Sequence, residues 1–205
     1  MKVNYFDLGL HHTAWELEQM RSVVLPKLGI EDYSIYGFEA HPGYCKQVED
    51  RYNDPRIKII NRAISDEEKD IDLYLARNSV GHSIFATKNN VNKSKKVSVK
   101  GIVFSKFLEE NCPSFKDEVN VLKINIEGAE WHLFNDLIGK GYHDYFLFCG
   151  QGHDVEKVRE LDSKEYWNLI KENGITLNRF SDYKKVRNAD IGDLLKKEIG
   201  RRSQR

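Results

Sequence analysis

The stretch Val121-Leu-Lys-Ile-Asn-Ile-Glu-Gly-Ala-Glu-Trp131 passes from apolar alternation to two carboxylates and a glycine within a few residues. A strand that only filled a core would stop in ordinary turn chemistry. This one presents Asn125, Glu127 and Glu130 where strand gives way to helix, and in open α/β sheets ligands bind beyond the carboxyl ends of the strands. The run therefore reads as a core strand, Val119 to Ile126, feeding a helix from Gly128 to Ile138 with Trp131, Phe134 and Leu137 on one face.

Working outward, Val3 to Gly9 is a short apolar run ending in Asp and Gly. Thr13-Ala-Trp-Glu16 has the S/T-x-x-E form of a capping box. Ala14, Leu17, Met20, Val24 and Leu28 recur at helical spacing until Gly29 supplies a stop. Ser34 to Glu39 reads as a second strand, and Pro42 opens a helix carrying Cys45, Val48 and Tyr52 inward. After the break at Asn53-Asp-Pro55, Ile57 to Ile64 is a third strand. This β-α-β-α-β order predicts parallel strands with right-handed crossovers, as in doubly wound folds.

The next region interrupts that rhythm. Ile71, Leu73 and Leu75 alternate, as do Val97 and Val99, which predicts an antiparallel β excursion between the third and fourth core strands. The polar run Thr87 to Lys96 reads as its mobile tip. Phe104 to Glu110 is expected to be helical, Tyr145 to Cys149 a fifth strand, Ser163 to Asn173 a helix, and Ile175 to Phe180 a last strand. The tryptophans Trp15, Trp131 and Trp167 fall on apolar helix faces and are assigned to the core.

Composition narrows the function classes. A chain of 205 residues, 40% hydrophobic, suffices for one complete core and is short for two. Lys plus Arg and Asp plus Glu each total 32, so no overall field argues for nucleic acid or an acidic membrane surface. Cys45, Cys112 and Cys149 are widely spaced without a C-x-x-C, suggesting neither a disulfide framework nor a zinc knuckle. No window approaches the length of a membrane span, and no apolar signal segment precedes the first strand. A soluble, cytoplasmic protein is expected, with neither nucleic acid nor membrane as partner and the oligomeric state open.

Two sites at strand ends carry candidate chemistry. Phe6-Asp-Leu-Gly-Leu-His-His-Thr13 places Asp7 and Gly9 after the first strand, without a GxGxxG fingerprint. Gly9 lets a ligand approach the backbone, and the amides entering the helix attract a carboxylate or phosphate. Glu39 ends the second strand, where Rossmann-like folds place an acid that receives two ribose hydroxyls and repels a neighbouring phosphate. A ribose-bearing ligand without a 2′-phosphate is favoured.

Four segments, Phe6-Asp-Leu-Gly9, Tyr36-Gly-Phe-Glu-Ala-His-Pro42, Asn61-Arg-Ala-Ile-Ser-Asp66 and Leu122-Lys-Ile-Asn-Ile-Glu-Gly-Ala-Glu130, occur in the order seen in FkbM-type methyltransferases. The chain resembles that family over roughly residues 3 to 180, with the K-I-x-I-E-G-A-E run its most specific element. The resemblance implies a Rossmann-like, doubly wound, mostly parallel α/β fold of the class I methyltransferase type. Residues 1–190 would form a single methyltransferase-like domain, and 191–205 a C-terminal helix with a frayed basic tail at Gly200–Arg205. It further implies S-adenosylmethionine as cofactor, and transfer of its sulfonium methyl to a hydroxyl of a small molecule or glycan.

On that reading Asp7 and Gly9 line the methionine end of the cofactor, with His11 and Thr13 on the same loop. Glu39 and Ala40 serve the ribose, and Arg62, Ala63 and Ile64 flank the adenine. Asn125 and Glu127 face the reacting centre. His82 and Ser83, in a segment where such proteins carry a Ser-rich loop, join Glu127 on the acceptor. If a base is needed, Glu127 and His153 are the candidates, while Glu130 is structural, at the first helical turn where the dipole favours an acid.

Two departures bear on mechanism. The family's first motif runs D-x-G-x-N-x-G, and here His11 and Thr13 stand at the Asn and second Gly positions. A β-branched residue does not take the positive φ that glycine tolerates, so either the loop follows another path or the cofactor binds weakly. Asn125 stands where the family has an acid; an amide is no general base, though it can orient a hydroxyl or amine. These departures motivate an alternative, a catalytically inactive binding protein on the same fold. A nicotinamide-dependent oxidoreductase is the other rival, disfavoured by the missing GxGxxG. His11, His12, His41, His153, Glu39 and Glu127 lie near the expected ligand edge without a spacing such as H-E-x-x-H, so no metal ligand is assigned. A divalent ion on a diol acceptor, as in some related methyltransferases, is the lesser reading.

Overall fold

In a computed structural model of the chain, residues 1–78, 80–178, 180 and 190–202 are described. Their centre is a parallel sheet of β1 (Val3–Leu8), β2 (Tyr33–Phe38), β3 (Ile57–Ile60), β7 (Val119–Ile124) and β8 (Phe146–Gly150), in the order β3-β2-β1-β7-β8. β1 and β7 are buried at all six positions. That burial explains their near-continuous apolar runs, since a parallel sheet is covered on both faces. On one face Phe6, Phe38 and Leu122 pack with Phe104 and Phe107 of α4 (Phe104–Asn111), Phe134 of α5 (Glu130–Gly139) and Tyr166 of α6 (Ser163–Glu172). On the other face Tyr5, Ile35 and Val121 meet Leu17, Met20 and Leu25 from the first helical segment, with Ile191 and Leu195 of α7 (Ile191–Arg202).

Because β1 pairs with both β2 and β7, the chain builds outward on one side and then returns to build on the other. The crevice beyond the carboxyl ends of β1 and β7 is thus a topological switch point, where such sheets bind ligands.

The first helical segment starts differently from the expectation. It runs as α1 (Trp15–Gln19), a π-helical turn (Met20–Val24) and α2 (Leu25–Lys27). The residue before α1 is Ala14 at φ 47°, and no side chain caps the helix. The capping box of Thr13 and Glu16 is therefore absent: with Ala14 in the left-handed region the chain turns between Thr13 and the helix, and the Thr13 hydroxyl lies 3.2 Å from His11 Nδ1 instead. Gly29 does end the segment, at φ 66°, with its N–H donating to Pro26 O and that of Ile30 to Leu25 O.

The expected third strand is divided into β3 and β4 (Ala63–Ile64). Between them the Asn61 side-chain amide donates to the carbonyls of Glu39 and Ala40, at 2.8 and 3.0 Å, and the chain turns into a second sheet. There β4 lies parallel to β6 (Val91–Ile102), which pairs antiparallel with β5 (Asp70–Ala76). The run Thr87 to Lys96 is not a polar tip: from Val91 it belongs to β6, and Lys88 is only 3% exposed, held by Glu127.

Three other expectations change. Among the described residues Ile175 to Phe180 forms no strand; Asn178 makes one parallel bridge to Cys149, and Arg179 lies outside the described residues. Gly200 to Arg202 complete α7 rather than fray, and the Arg202 guanidinium donates to Glu118 O at 2.9 Å; residues 203–205 lie outside the described residues. The tryptophans are not core side chains: Trp15 is 36% exposed, and Trp131 and Trp167 are half-buried. The Trp167 indole N–H donates to Glu156 at 2.7 Å, which suits a ring with an apolar body and a polar edge. No helix among the described residues is long and apolar enough to cross a membrane.

Candidate functional site

A cavity of about 290 Å³ opens beyond the carboxyl ends of β1, β2 and β7. Its floor is set by Gly9, at φ 86°, where a Cβ would stand 1.9 Å from the Asn125 carbonyl oxygen. Glycine is required there because the two strand ends touch. Beneath it the buried Lys123 ammonium lies 2.9 Å from Asp7 Oδ1, 2.9 Å from Gly9 O and 3.9 Å from Glu16. Burial works against this ammonium, but Asp7 and then Glu16 outweigh it and raise its pKa. Asp7 also accepts the Tyr5 hydroxyl at 3.1 Å. It is therefore a buried anchor under the loop and does not line the cavity.

The loop itself takes another path than the family pattern suggests. Positive φ falls on His11 (56°) and Ala14 (47°), not on Thr13. The objection drawn from a β-branched residue at position 13 is thereby removed, and with it that motive for the inactive alternative. The His11 N–H donates to Glu39 Oε2 at 2.7 Å and the His41 N–H to Oε1 at 2.8 Å. Burial raises the pKa of Glu39, against the pull of these two amides. A carboxylate has about four lone-pair sites, so it retains accepting capacity beyond the two amides.

One wall is aromatic. His41 caps α3 (Pro42–Glu49), its Nδ1 accepting the Tyr44 N–H at 3.3 Å. The rings of His41 and Tyr44 are 4.3 Å apart and those of Tyr44 and His82 stack at 5.5 Å. His82 Nδ1 accepts the Ala76 N–H at 2.9 Å, and burial, aided by His41, lowers its pKa to about 4. Burial also lowers that of His41. At neutral pH the His82 imidazole is uncharged, and its ring lines the cavity beside that of Tyr44, with His41 packed against both from outside the lining.

At the far end Glu127 adopts φ 58°. Two side chains from the preceding segment hold it there: the Ser83 hydroxyl donates to its carbonyl at 2.7 Å, and the Lys88 ammonium reaches its Oε2 at 2.5 Å while also donating to Asn90 at 2.8 Å. Asn125 lines the cavity, and its Oδ1 is buried without a hydrogen-bond partner among the described residues. Such an oxygen can accept a hydrogen bond from a donor that enters the cavity. Glu130 is wholly buried and accepts the Gly128 and Ile126 N–H groups at 2.6 and 3.2 Å, and burial pushes its pKa up to about 7. It ties down the loop that carries Glu127.

Of the residues singled out in the sequence, Gly9, His11, Thr13, Glu39 and Ala40 line the cavity. So do Arg62, Ala63, Ile64, His82, Asn125 and Glu127. Asp7 and Ser83 stand behind its walls, and His153 is exposed and does not line it. Ser79 lies outside the described residues. Tyr44, Lys88 and Lys123 were missed. A lysine within the apolar run from Val121 to Ile124 was a readable signal for Lys123, and Tyr44 follows the His-Pro start of α3; nothing local distinguished Lys88 from its polar neighbours. Among the described residues no group of three or more His, Cys, Asp or Glu side chains is placed to hold a metal ion.

A parallel α/β sheet with a cavity at its switch point, an acid at the end of β2 and a glycine at the end of β1 defines a Rossmann-like protein. The profile of the Methyltransferase FkbM domain matches residues 23–158, more than half of the 205 residues, and the chain belongs to that family. The match begins after the loop carrying His11 and Thr13, the part that departs from the family's first motif. A search of curated proteins found no match, and neither did a search of solved structures.

Proposed function

We propose that the chain is an S-adenosylmethionine-dependent methyltransferase acting on a hydroxyl of a small molecule or glycan in the cytoplasm. The observation that carries this reading is Glu39: a buried acid at the end of β2, steadied by two backbone amides, on the wall of a cavity at the switch point. Its remaining lone pairs suit two ribose hydroxyls. Arg62, Ala63 and Ile64 would flank the adenine, with the rings of Tyr44 and His82 on the same cavity wall. The loop from Gly9 to Thr13 would take the methionine end.

When bound, S-adenosylmethionine supplies an electrophilic methyl on sulfur. The protein's task is then alignment and exclusion of water. The unpartnered Asn125 Oδ1 would accept a hydrogen bond from the acceptor hydroxyl and aim its oxygen. Glu127 would take the hydroxyl proton as the bond to carbon forms.

The test is methyl transfer from tritiated S-adenosylmethionine to a panel of metabolites and oligosaccharides that offer hydroxyl or amino acceptors. Glu127→Gln is expected to lower the rate by about 100-fold, the range for a lost general base. Transfer only to nitrogen acceptors, or an unchanged rate in the variant, would contradict the assignment.

A further inference from the structure

We propose that Arg51 is the positioning residue that sets the loop between Gly9 and α1 for cofactor binding, an inference that rests on the reading of the cavity as the S-adenosylmethionine site. Between Gly9 and α1 the chain places two L-residues in the left-handed region, His11 at 56° and Ala14 at 47°. Side chains reach that region against a steric cost, so something must favour the path. The two residues between them, His12 and Thr13, direct their carbonyl oxygens toward the turn that follows α3. There the Arg51 guanidinium donates to both, Nη1 to Thr13 O at 3.0 Å and Nη2 to His12 O.

The same guanidinium is itself fixed, since its Nε donates to Gln47 O at 3.1 Å. Three donors in a rigid planar fork thus tie one turn of α3 to the two carbonyls flanked by the left-handed residues, a geometry that a lysine ammonium reproduces only in part. The consequence reaches the site through the loop: His11 is held where its N–H meets Glu39 Oε2, and His11 and Thr13 are kept on the cavity wall. Arg51 does not line that cavity; it sits with Thr13 in a neighbouring depression. It lies one residue past the C-cap Asp50 of the helix that begins after Glu39, so the segment that supplies the acid also supplies the clamp.

Calorimetric titration of the full chain with S-adenosylhomocysteine tests this in the wild type, Arg51→Ala, Arg51→Lys and the double variant Arg51→Ala with Ala14→Gly. The expected result is binding by the wild type and affinity about tenfold weaker in Arg51→Ala, with the melting temperature little changed because the side chain is exposed. Arg51→Lys restores part of the loss. Ala14→Gly restores part of it too, because glycine adopts the left-handed conformation without help. Affinity in Arg51→Ala within about twofold of wild type, the scale of an ordinary surface substitution, overturns the inference. So does a loss that neither Arg51→Lys nor Ala14→Gly repairs, which would make Arg51 a general structural residue. A wild type that does not bind is a different result: it removes the cofactor reading on which the inference stands.

Discussion

Glu130 shows how one buried acid links the site to pH. Its folded pKa of about 7 lies above the ordinary value of 4.5, with burial the cause. A raised acid pKa favours the folded state below the unfolded pKa, and that stability is lost as pH rises through the folded pKa. Its contribution is therefore full below about pH 4.5 and gone above about pH 7, a change of about 3 kcal/mol. Urea unfolding of wild type and Glu130→Gln at pH 5 and pH 8 checks this: the wild type should lose more stability than the variant over that interval, and equal losses would refute the assignment. The role of Glu130 as a structural acid at the first helical turn was legible in the sequence. Its grip on the Ile126 and Gly128 amides was not, since it depends on Glu127 turning through positive φ. Lys88 was illegible for a similar reason: its burial comes from a partner 39 residues away, within a run whose composition reads as solvent-exposed.

Among elements, β1 and β7 were legible because each is a short, mainly apolar run buried along its whole length and followed by Gly9 or Asn125. Ile57 to Ile64 misled because apolar spacing continues across Asn61, while the break is made by its side chain reaching back to the Glu39 and Ala40 carbonyls. The start of α1 misled because a capping-box pattern specifies residue types but not the φ of Ala14. The junction of β1 with β7 depends on Gly9, where any side chain would strike the Asn125 carbonyl. Gly9→Ala should therefore cost more than about 2 kcal/mol, from a strained φ and a backbone clash together. The urea midpoint measures it. A loss below about 0.5 kcal/mol, typical of an uninvolved surface position, would mean that the strand ends can part without consequence.

At the scale of the whole molecule, both faces of the sheet are closed by elements distant in sequence, and α7 is one of them. Leu195 is fully buried against the cluster that includes Tyr5, Val121 and Cys149. Leu195→Ala is expected to destabilise the fold by about 3 kcal/mol, within the range for a buried leucine, in one cooperative transition. A separate early transition, or no change, would show that α7 docks independently of the sheet. The docking could not be read from the sequence, where the last residues look like a basic tail. The sheet edge bearing the cavity could be read, because topology alone places the ends of β1, β2 and β7 together. That edge carries the central claim, and calorimetry with S-adenosylhomocysteine on wild type and Glu39→Ala tests it most directly. The account predicts micromolar binding by the wild type, weakened in the variant by about 1.5–3 kcal/mol as hydrogen bonds to a charged acceptor are lost. No binding by the wild type at millimolar ligand, or equal affinity in the two proteins, would contradict it.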